Sequence, residues 1–362
     1  MPEYWRLDRE RKRGRILDGL DLLREKLDNE IPAKTLDRTM LLATWNIREF
    51  DSPAYGPRTR DAMYYIAEII SHFDLVAVQE VRRDLTALRQ LVDLLGWPWR
   101  YVLSDTTEGD AGNDERMAFL YDSRKIGFTG LAGEVVLPPI VTKVDGKRVV
   151  TPSEQVARTP YTVSFRCGWT SFQLATVHIL WGDDAADSPP RVAEIRQVAK
   201  FLAARADDPI AERASGLGAL VLLGDFNIFT ADSQTMAALT EFGWEVPPEL
   251  QTIPGSNVAK NRRYDQIALR PDPHWFEATG RAGVFDFYQS VFRDVDEQLY
   301  EAEMGPAYIT TSRGNARDAA GKRTYFRTYW RTFQMSDHLP MWIEIRTDYS
   351  PEYLAGKRSA PV

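Results

Sequence analysis

The stretch Ala219-Leu220-Val221-Leu222-Leu223-Gly224-Asp225-Phe226-Asn227 is an apolar run that ends in an acid and an amide. Five consecutive apolar residues closed by glycine read as a buried strand that hands its exit loop two polar side chains. The same design recurs along the chain. LLATWNI (41–47) carries Asn46, LVAVQEV (75–81) carries Glu80, and FQLATVHIL (172–180) carries His178. Near the C-terminus, Ser336-Asp337-His338 precedes the strand-like MWIEI (341–345). Strand ends that each deliver one acid, amide or imidazole can converge on a single site at one rim of a sheet.

Between these runs lie segments of helical period. Residues 61–73 bring Met63, Ile66, Ile69, Ile70 and Phe73 onto one face, and LTALRQLVDLLGW (85–97) has Gly96 as its stop signal. RVAEIRQVAKFLAARA starts at Pro189-Pro190, and DSQTMAALTEFGW is expected to start from Asp232 as N-cap. WRYVLSD, MAFLYD, YTVSFRCGW and YDQIALR add further strands, the third forming a hairpin with FQLATVHIL. Strands alternating with helices, mixed with neighbouring strands, predict an α/β fold with helices outside packed sheets. Residues 1–40 read as an N-terminal helical extension with Ile16, Leu17, Leu20, Leu23, Leu27 and Ile31 at helical spacing. Residues 41–348 read as one body and 349–362 as a tail. Segments 106–115 and 311–323 read as loops.

Composition narrows the setting. The 362 residues are 44% hydrophobic and 27% charged, with a formal net charge of −7, so no global positive field attracts a polyanion. The single cysteine, Cys167, allows no intrachain disulfide and is expected to pack as a small apolar residue. Four histidines and one cysteine exclude a Cys-rich structural zinc site. MPEYWRLDRERKRGR has no apolar core of a signal peptide, and no run reaches the roughly 18 apolar residues of a membrane span. The expectation is a reduced, cytoplasmic setting, with no membrane and no obligate protein partner.

Acids, amides and two histidines suit a hard divalent metal and a phosphate ester. Glu80, Asp225 and Asp337 are candidate acidic ligands and Asn46 a neutral oxygen donor, a set that favours Mg²⁺ or Mn²⁺. His178 and His338 can act as base, acid or phosphate clamp. Each needs a carboxylate to set its tautomer, and Glu115 and Asp265 are available. His72, at a helix end, and His274, in a Pro-rich turn, read as ordinary surface or capping residues.

In order, WNIREF, QEVR, ERMAFLY, RTPYTVSF, ATVH, VAEI, LLGDFN, YDQI and SDHLP span about residues 41–345. Jointly they resemble the endonuclease/exonuclease/phosphatase superfamily, most closely its DNase I branch. The resemblance implies a four-layered α/β sandwich, two central mixed β-sheets flanked by helices, with the site at one rim. It implies that Asn46, Glu80 and Asp337 serve the metal, and that Glu115 orients His178 while Asp265 pairs with His338. Asp225 and Asn227 would handle water and phosphate. Arg48, Arg82 and Arg158 match positions that contact backbone phosphates.

Two departures argue against a secreted, duplex-nicking enzyme. Asn113 stands where the DNA-cutting branch places a minor-groove tyrosine, and the disulfide after the GDFN loop is absent. The stretch before Ser336 is long and basic, with Arg313, Arg317, Lys322, Arg323, Arg327 and Arg331 interleaved with Tyr325, Phe326, Tyr329 and Trp330. It is either a nucleic-acid groove, with Arg323, Arg327 and Arg331 as its cations, or an edge strand with solvated cations. The expected function is a metal-dependent nuclease acting on DNA, with RNA as a second polymer to consider. The alternative is a phosphoesterase on a small or lipid phosphate; Leu223 before Gly224, where inositol-phosphate phosphatases carry Trp, speaks against it. A catalytically silent binding module would have lost an acid or a histidine, and none is missing.

Overall fold

In the strand Thr39–Phe50 (β1), successive side chains enter different cores. Met40 and Leu42 pack with one buried cluster, Leu41, Ala43 and Trp45 with another. A strand buried on both faces must lie in the middle of a layered structure, which accounts for its near-continuous apolar sequence. The computed structural model of the chain describes residues 2–50, 52, 57–108, 114–208, 219–270 and 276–359.

Two mixed sheets form the centre. After β1 come β2 (Leu75–Arg82), β3 (Trp99–Leu103), β4 (Glu115–Asp122), β5 (Gly127–Glu134), β6 (Ile140–Val144), β7 (Lys147–Thr151), β8 (Tyr161–Cys167), β9 (Thr170–His178), β10 (Ala219–Asp225), β11 (Asp265–Arg270), β12 (Glu277–Val284) and β13 (Met341–Arg346). One sheet runs β12-β13-β1-β2-β4-β3 and the other β11-β10-β9-β8-β5, while β6 and β7 form a separate hairpin. Each large sheet holds one parallel pair, β1 with β2 and β9 with β10. A parallel pair needs a crossover. Helix α2 (Arg60–Ser71) lies in the first and α4 (Pro189–Ala206) in the second. With α1 (Arg13–Glu30) and α3 (Thr86–Leu95), α2 covers the outer face of the first sheet, and α4 covers the second, giving the expected four-layered sandwich.

This topology puts the functional strand ends on one rim. Asp225, at the end of β10, is in register with His178 on β9 and Asp265 on β11. Across the other sheet, Arg82 pairs with Glu115. Just beneath, Gln79 joins the two sheets: its Nε2 donates to Thr44 Oγ1 at 3.1 Å and to Thr176 Oγ1 at 2.8 Å. All three side chains are buried, so the link satisfies polar atoms that would otherwise be costly there.

Several expectations change in detail. Ser233, not Asp232, caps the helix Gln234–Thr240, its Oγ accepting from Met236 N at 3.2 Å. In α1, Ile16, Leu20, Leu23 and Leu27 are buried in the core of the first sheet, but Leu17 points outward. Strands β5, β6, β7 and β12 are additions to the expected set. Within 311–323, helix begins at Ala319, capped by Asp318. Of the loop at 106–115, residues 109–113, and with them Asn113, lie outside the described residues, as does His274. Cys167 is buried, and His72 caps the end of α2. Among the described residues no helix is long and apolar enough to cross a membrane.

At the end opposite the site, the fully buried Asp74 holds β1 and two lysines. Its Oδ2 accepts from Leu41 N at 2.9 Å and from Lys125 Nζ at 2.6 Å, and its Oδ1 lies 3.2 Å from Lys34 Nζ. Removing one partner of a buried ion cluster leaves uncompensated charge. Asp74→Ala is expected to lower unfolding free energy by about 3–5 kcal/mol, read from urea denaturation.

Candidate active site

Local backbone irregularities aim the first pair of side chains. Pairing of β1 with β2 shifts register after Asn46, and pairing of β2 with β4 shifts between Val78 and Val81. Glu80 sits in that shift with a φ of 61°, a conformation that costs a non-glycine residue on the order of 1 kcal/mol or more and that clusters at functional sites. The result turns Glu80 toward Asn46, whose Nδ2 donates to Glu80 Oε1 and to Asp225 Oδ2, each at 2.9 Å. Glu49 N donates to Glu80 Oε2 at 2.6 Å. Asn46 Oδ1 is buried and faces no donor.

Asp225 occupies the centre. Gly224, at φ 134°, lets β10 approach β9 so closely that a Cβ there would lie 2.1 Å from Val177 O. Only glycine fits this step, which is why the acid follows it. Asp225 Oδ1 accepts from Asn227 N at 2.9 Å, and Asn227 Nδ2 donates to Ile179 O at 2.7 Å. The other oxygen, Oδ2, faces both imidazoles: His178 Nε2 at 3.5 Å and His338 Nε2 at 3.6 Å. Behind each ring stands a carboxylate. His178 Nδ1 lies 2.8 Å from Glu115 Oε1, and His338 Nδ1 lies 2.9 Å from Asp265 Oδ2. Arg158 Nε also contacts Glu115 Oε1.

Burial and charge compete at these groups. Burial opposes ionisation of Asp225, but His338 and His178 outweigh it and hold the carboxyl below its usual range. Burial likewise opposes ionisation of Glu115, and His178 and Arg158 outweigh it. Burial disfavours charged imidazoles, yet Asp265 and Asp225 raise His338 well above its ordinary value, and Glu115 raises His178. Asp265 goes the other way: burial pushes its carboxyl up against the pull of His338. A proton on the Asp265–His338 pair therefore belongs to both.

The acids and imidazoles gather in two groups whose ligand atoms lie within 4.8 Å of one another, Glu80–Glu115–His178 and Asp225–Asp265–His338. Asp337 belongs to neither. Its side chain is half exposed and its Oδ2 lies 3.8 Å from Arg48 Nε. Of the three residues expected at the metal, the structure brings Asn46 and Glu80 into contact and sets Asp337 beside an arginine. Arg48 Nη1 donates to Thr332 Oγ1 at 2.6 Å, and Arg82 Nη2 lies 3.7 Å from Glu49 Oε2.

The basic stretch is not an edge strand. It is helical, passing through a π-helical turn at Tyr325–Trp330. Tyr325, Phe326 and Trp330 are in the core. Arg331 is buried, bonding Phe292 O at 3.0 Å and Asp294 Oδ1 at 2.9 Å, while Arg327 pairs with Asp294 Oδ2 at 2.8 Å. Of the three groove cations expected here, Arg327 and Arg331 are engaged by one aspartate, and Arg323 is exposed. Helical spacing sends Tyr325, Phe326 and Trp330 inward and leaves Tyr329 exposed, which linear interleaving does not reveal.

Ser336, which no sequence motif singled out for a role, positions its neighbours. Its Oγ donates to Asn46 O at 2.6 Å and accepts from Arg48 N at 3.2 Å and His338 N at 3.0 Å. Trp45 Nε1 adds a bond to His338 O at 3.0 Å. One hydroxyl thus fixes both sheet-end segments that flank Asp225.

Two mixed sheets packed face to face, flanked by helices and with their polar strand ends on one rim, define a DNase I-like α/β sandwich. The chain belongs to the Endonuclease/Exonuclease/phosphatase family, whose model matches residues 43–338. A protein of Thioalkalivibrio sp. (strain K90mix) named deoxyribonuclease is 31% identical over 198 residues, 52% of this chain and 46% of that protein. The matched region thus spans about half the length of that relative. The fold is similar to D. rerio TDP2 complexed with single-strand DNA product, at a TM-score of 0.52 and 12% identity, covering 85% of this chain and 99% of that one. The human Nocturnin catalytic domain with bound sulfate anion matches at a TM-score of 0.51 and 12% identity, covering 86% and 95%.

Ser336→Ala is expected to keep the fold and lower turnover by about tenfold, because His338 and Asn46 lose their common tether; a loss of one to two buried hydrogen bonds is of that size. Steady-state kinetics beside a circular dichroism melt checks it.

Proposed function

We propose that this protein is a divalent-metal-dependent phosphodiesterase that hydrolyses DNA strands. The observation that carries the reading is Asp225 Oδ2 facing the Nε2 atoms of two imidazoles, each backed by its own carboxylate. The motif order and the relative named deoxyribonuclease favour a nucleic-acid substrate over a small or lipid phosphate.

The donor set fits a hard cation. Asn46 and Glu80 offer only oxygen, Asn46 Oδ1 is a buried acceptor with no donor, and Mg²⁺ or Mn²⁺ prefers such ligands. Glu80 and Asn46 would hold it, with Asp337 as the further acid on the same rim. When bound, the cation would supply positive charge to the phosphate oxygens.

The protein's own residues would do the rest. Asp225, kept ionised, accepts a proton from the attacking water at Oδ2, and Asn227 keeps the acid's other oxygen turned away. The water oxygen bonds to phosphorus as the phosphorus–oxygen bond to the leaving strand breaks, and the leaving oxygen takes a proton from solvent water while Asp225 returns its own to solvent. His178 and His338, whose affinity for a proton Glu115 and Asp265 raise, donate from Nε2 to phosphoryl oxygens as negative charge develops. Arg158 braces Glu115 and adds positive charge beside it. Arg48 and Arg82 line the approach for flanking phosphates.

Chelation should abolish cleavage of a labelled oligonucleotide, and Mg²⁺ or Mn²⁺ should restore it; full activity in excess chelator would contradict the metal role. Glu80→Gln should lose at least a hundredfold in kcat with an unchanged melting profile. His178→Ala and His338→Ala should each lose about 10²–10⁴ in kcat, the range for a positioned proton donor. A digestion panel of duplex DNA, single-stranded DNA, RNA and inositol phosphates checks the substrate, and turnover of inositol phosphates alone would favour the small-substrate reading.

A further inference from the structure

The hairpin of β6 and β7 lies on no core. Every residue of both strands is exposed, including Ile140 at 55%, Val141 at 50%, Val144 at 54% and Val150 at 53%. An isolated two-stranded ribbon is marginal in water, so exposed aliphatics along both strands want a covering surface. Its form is nevertheless well specified. Asp145 and Gly146 both have positive φ, as a two-residue type I′ turn requires, and the register runs unbroken from Ile140↔Thr151 to Val144↔Lys147.

Its base is firmly held. Val135, Leu137 and Val156 are buried in the core between the sheets. Gln155 ties the two arms together, with Oε1 accepting from Leu137 N at 2.9 Å and Nε2 donating to Leu137 O at 3.2 Å. Gln197 Nε2, on α4, bonds Glu154 O at 3.2 Å. The base also lies on the catalytic rim. β5 ends and β8 begins at the pair Glu134↔Tyr161, and Tyr161 pairs with Thr176, two residues before His178. Arg158, between the hairpin and β8, reaches Glu115. A ribbon with strands of five residues, roughly 17 Å long, thus starts from the rim that carries the site.

Its charge is opposite to that of the chain. Lys143, Lys147 and Arg148 surround the turn with Asp145 as the one acid, on a protein of net charge −7. Lys143 and Arg148 stand directly across from each other, an arrangement that destabilises a strand pair. Among the described residues no carboxylate lies within 4 Å of any of the three cations.

Resting on the nuclease reading above, we propose that this ribbon docks on duplex DNA beside the scissile phosphate. A two-stranded ribbon fits the major groove, its cations would meet phosphates on the groove walls, and its aliphatics would meet sugars and base edges. The polyanion would also relieve the Lys143–Arg148 repulsion.

The test uses the full chain carrying K143Q, K147Q and R148Q, with K143R/K147R as the conservative control. Affinity for a fluorescein-labelled duplex is measured by anisotropy across a salt series in chelator, alongside metal-supported turnover of bis(4-nitrophenyl) phosphate. The triple variant should bind on the order of tenfold more weakly and lower the slope of log K against log salt by about 2–3, because up to three fewer counterions are released. The arginine control should bind like the native chain, small-diester turnover should be unchanged, and loss on a single strand of the same sequence should be smaller. Unchanged duplex affinity and slope in the triple variant would overturn the ribbon's role while leaving the nuclease reading intact. A change in oligomeric state without a change in DNA binding would also overturn it, making the ribbon a contact between copies. A native chain that neither binds nor cuts any oligonucleotide would overturn both.

Discussion

The site depends on one constraint: carboxylates buried at a sheet rim must find positive partners. Buried Glu115, Asp225 and Asp265 converge there with half-buried Glu80, facing Arg158 and two imidazoles whose affinity for protons is raised by the three buried acids. An isolated buried carboxylate would simply take up a proton. Here Asp225 is held below the usual carboxylate range because both rings turn Nε2 toward it, and each ring's affinity for a proton is raised by the acid behind it. Removing any member alters the protonation of the others. The acids still exceed the cationic side chains, and Asn46 Oδ1 remains without a donor, so the cluster has room for a further cation.

The scaffold makes that clustering affordable. Each sheet has a parallel pair, and open sheets present their ligand sites beyond the carboxyl ends of parallel strands. Gly224 brings β9 and β10 close enough to align Asp225 with His178, the shift in β2 turns Glu80 inward, and Ser336 ties the final loop to β1. Gln79, Thr44 and Thr176 close the polar region below with mutual hydrogen bonds, above an otherwise apolar interface.

Much of this was legible in the sequence because buried strands announce themselves. ALVLLGDFN, LVAVQEV and LLATWNI are apolar on both faces, and a polar residue at the end of such a run has little choice but the rim. The pairing of His178 with Glu115 and His338 with Asp265 followed the family resemblance, which supplied partners that spacing alone left open. What stayed hidden has physical reasons. Strands β5 and β12 are glycine-containing edges with register shifts, so neither alternation nor apolar content marks them. The β6–β7 hairpin did carry a signal, Val144-Asp145-Gly146 between β-branched residues, which a turn-based reading finds. The interleaved arginines and aromatics before Ser336 looked like a groove in one dimension; in a helix with a π turn, Tyr325, Phe326 and Trp330 fill the core, Tyr329 stays exposed, and Asp294 takes up two of the cations. Asp337 was placed by motif, yet its side chain depends on Arg48, a contact between segments distant in sequence.

The most direct test of the account is anomalous diffraction from crystals of the full chain soaked with Mn²⁺. One strong manganese peak is expected at the rim, with Glu80 and the Asn46 side-chain oxygen as its protein ligands. Manganese bound only away from Glu80, or no peak at millimolar concentrations in a site free of lattice contacts, would contradict it.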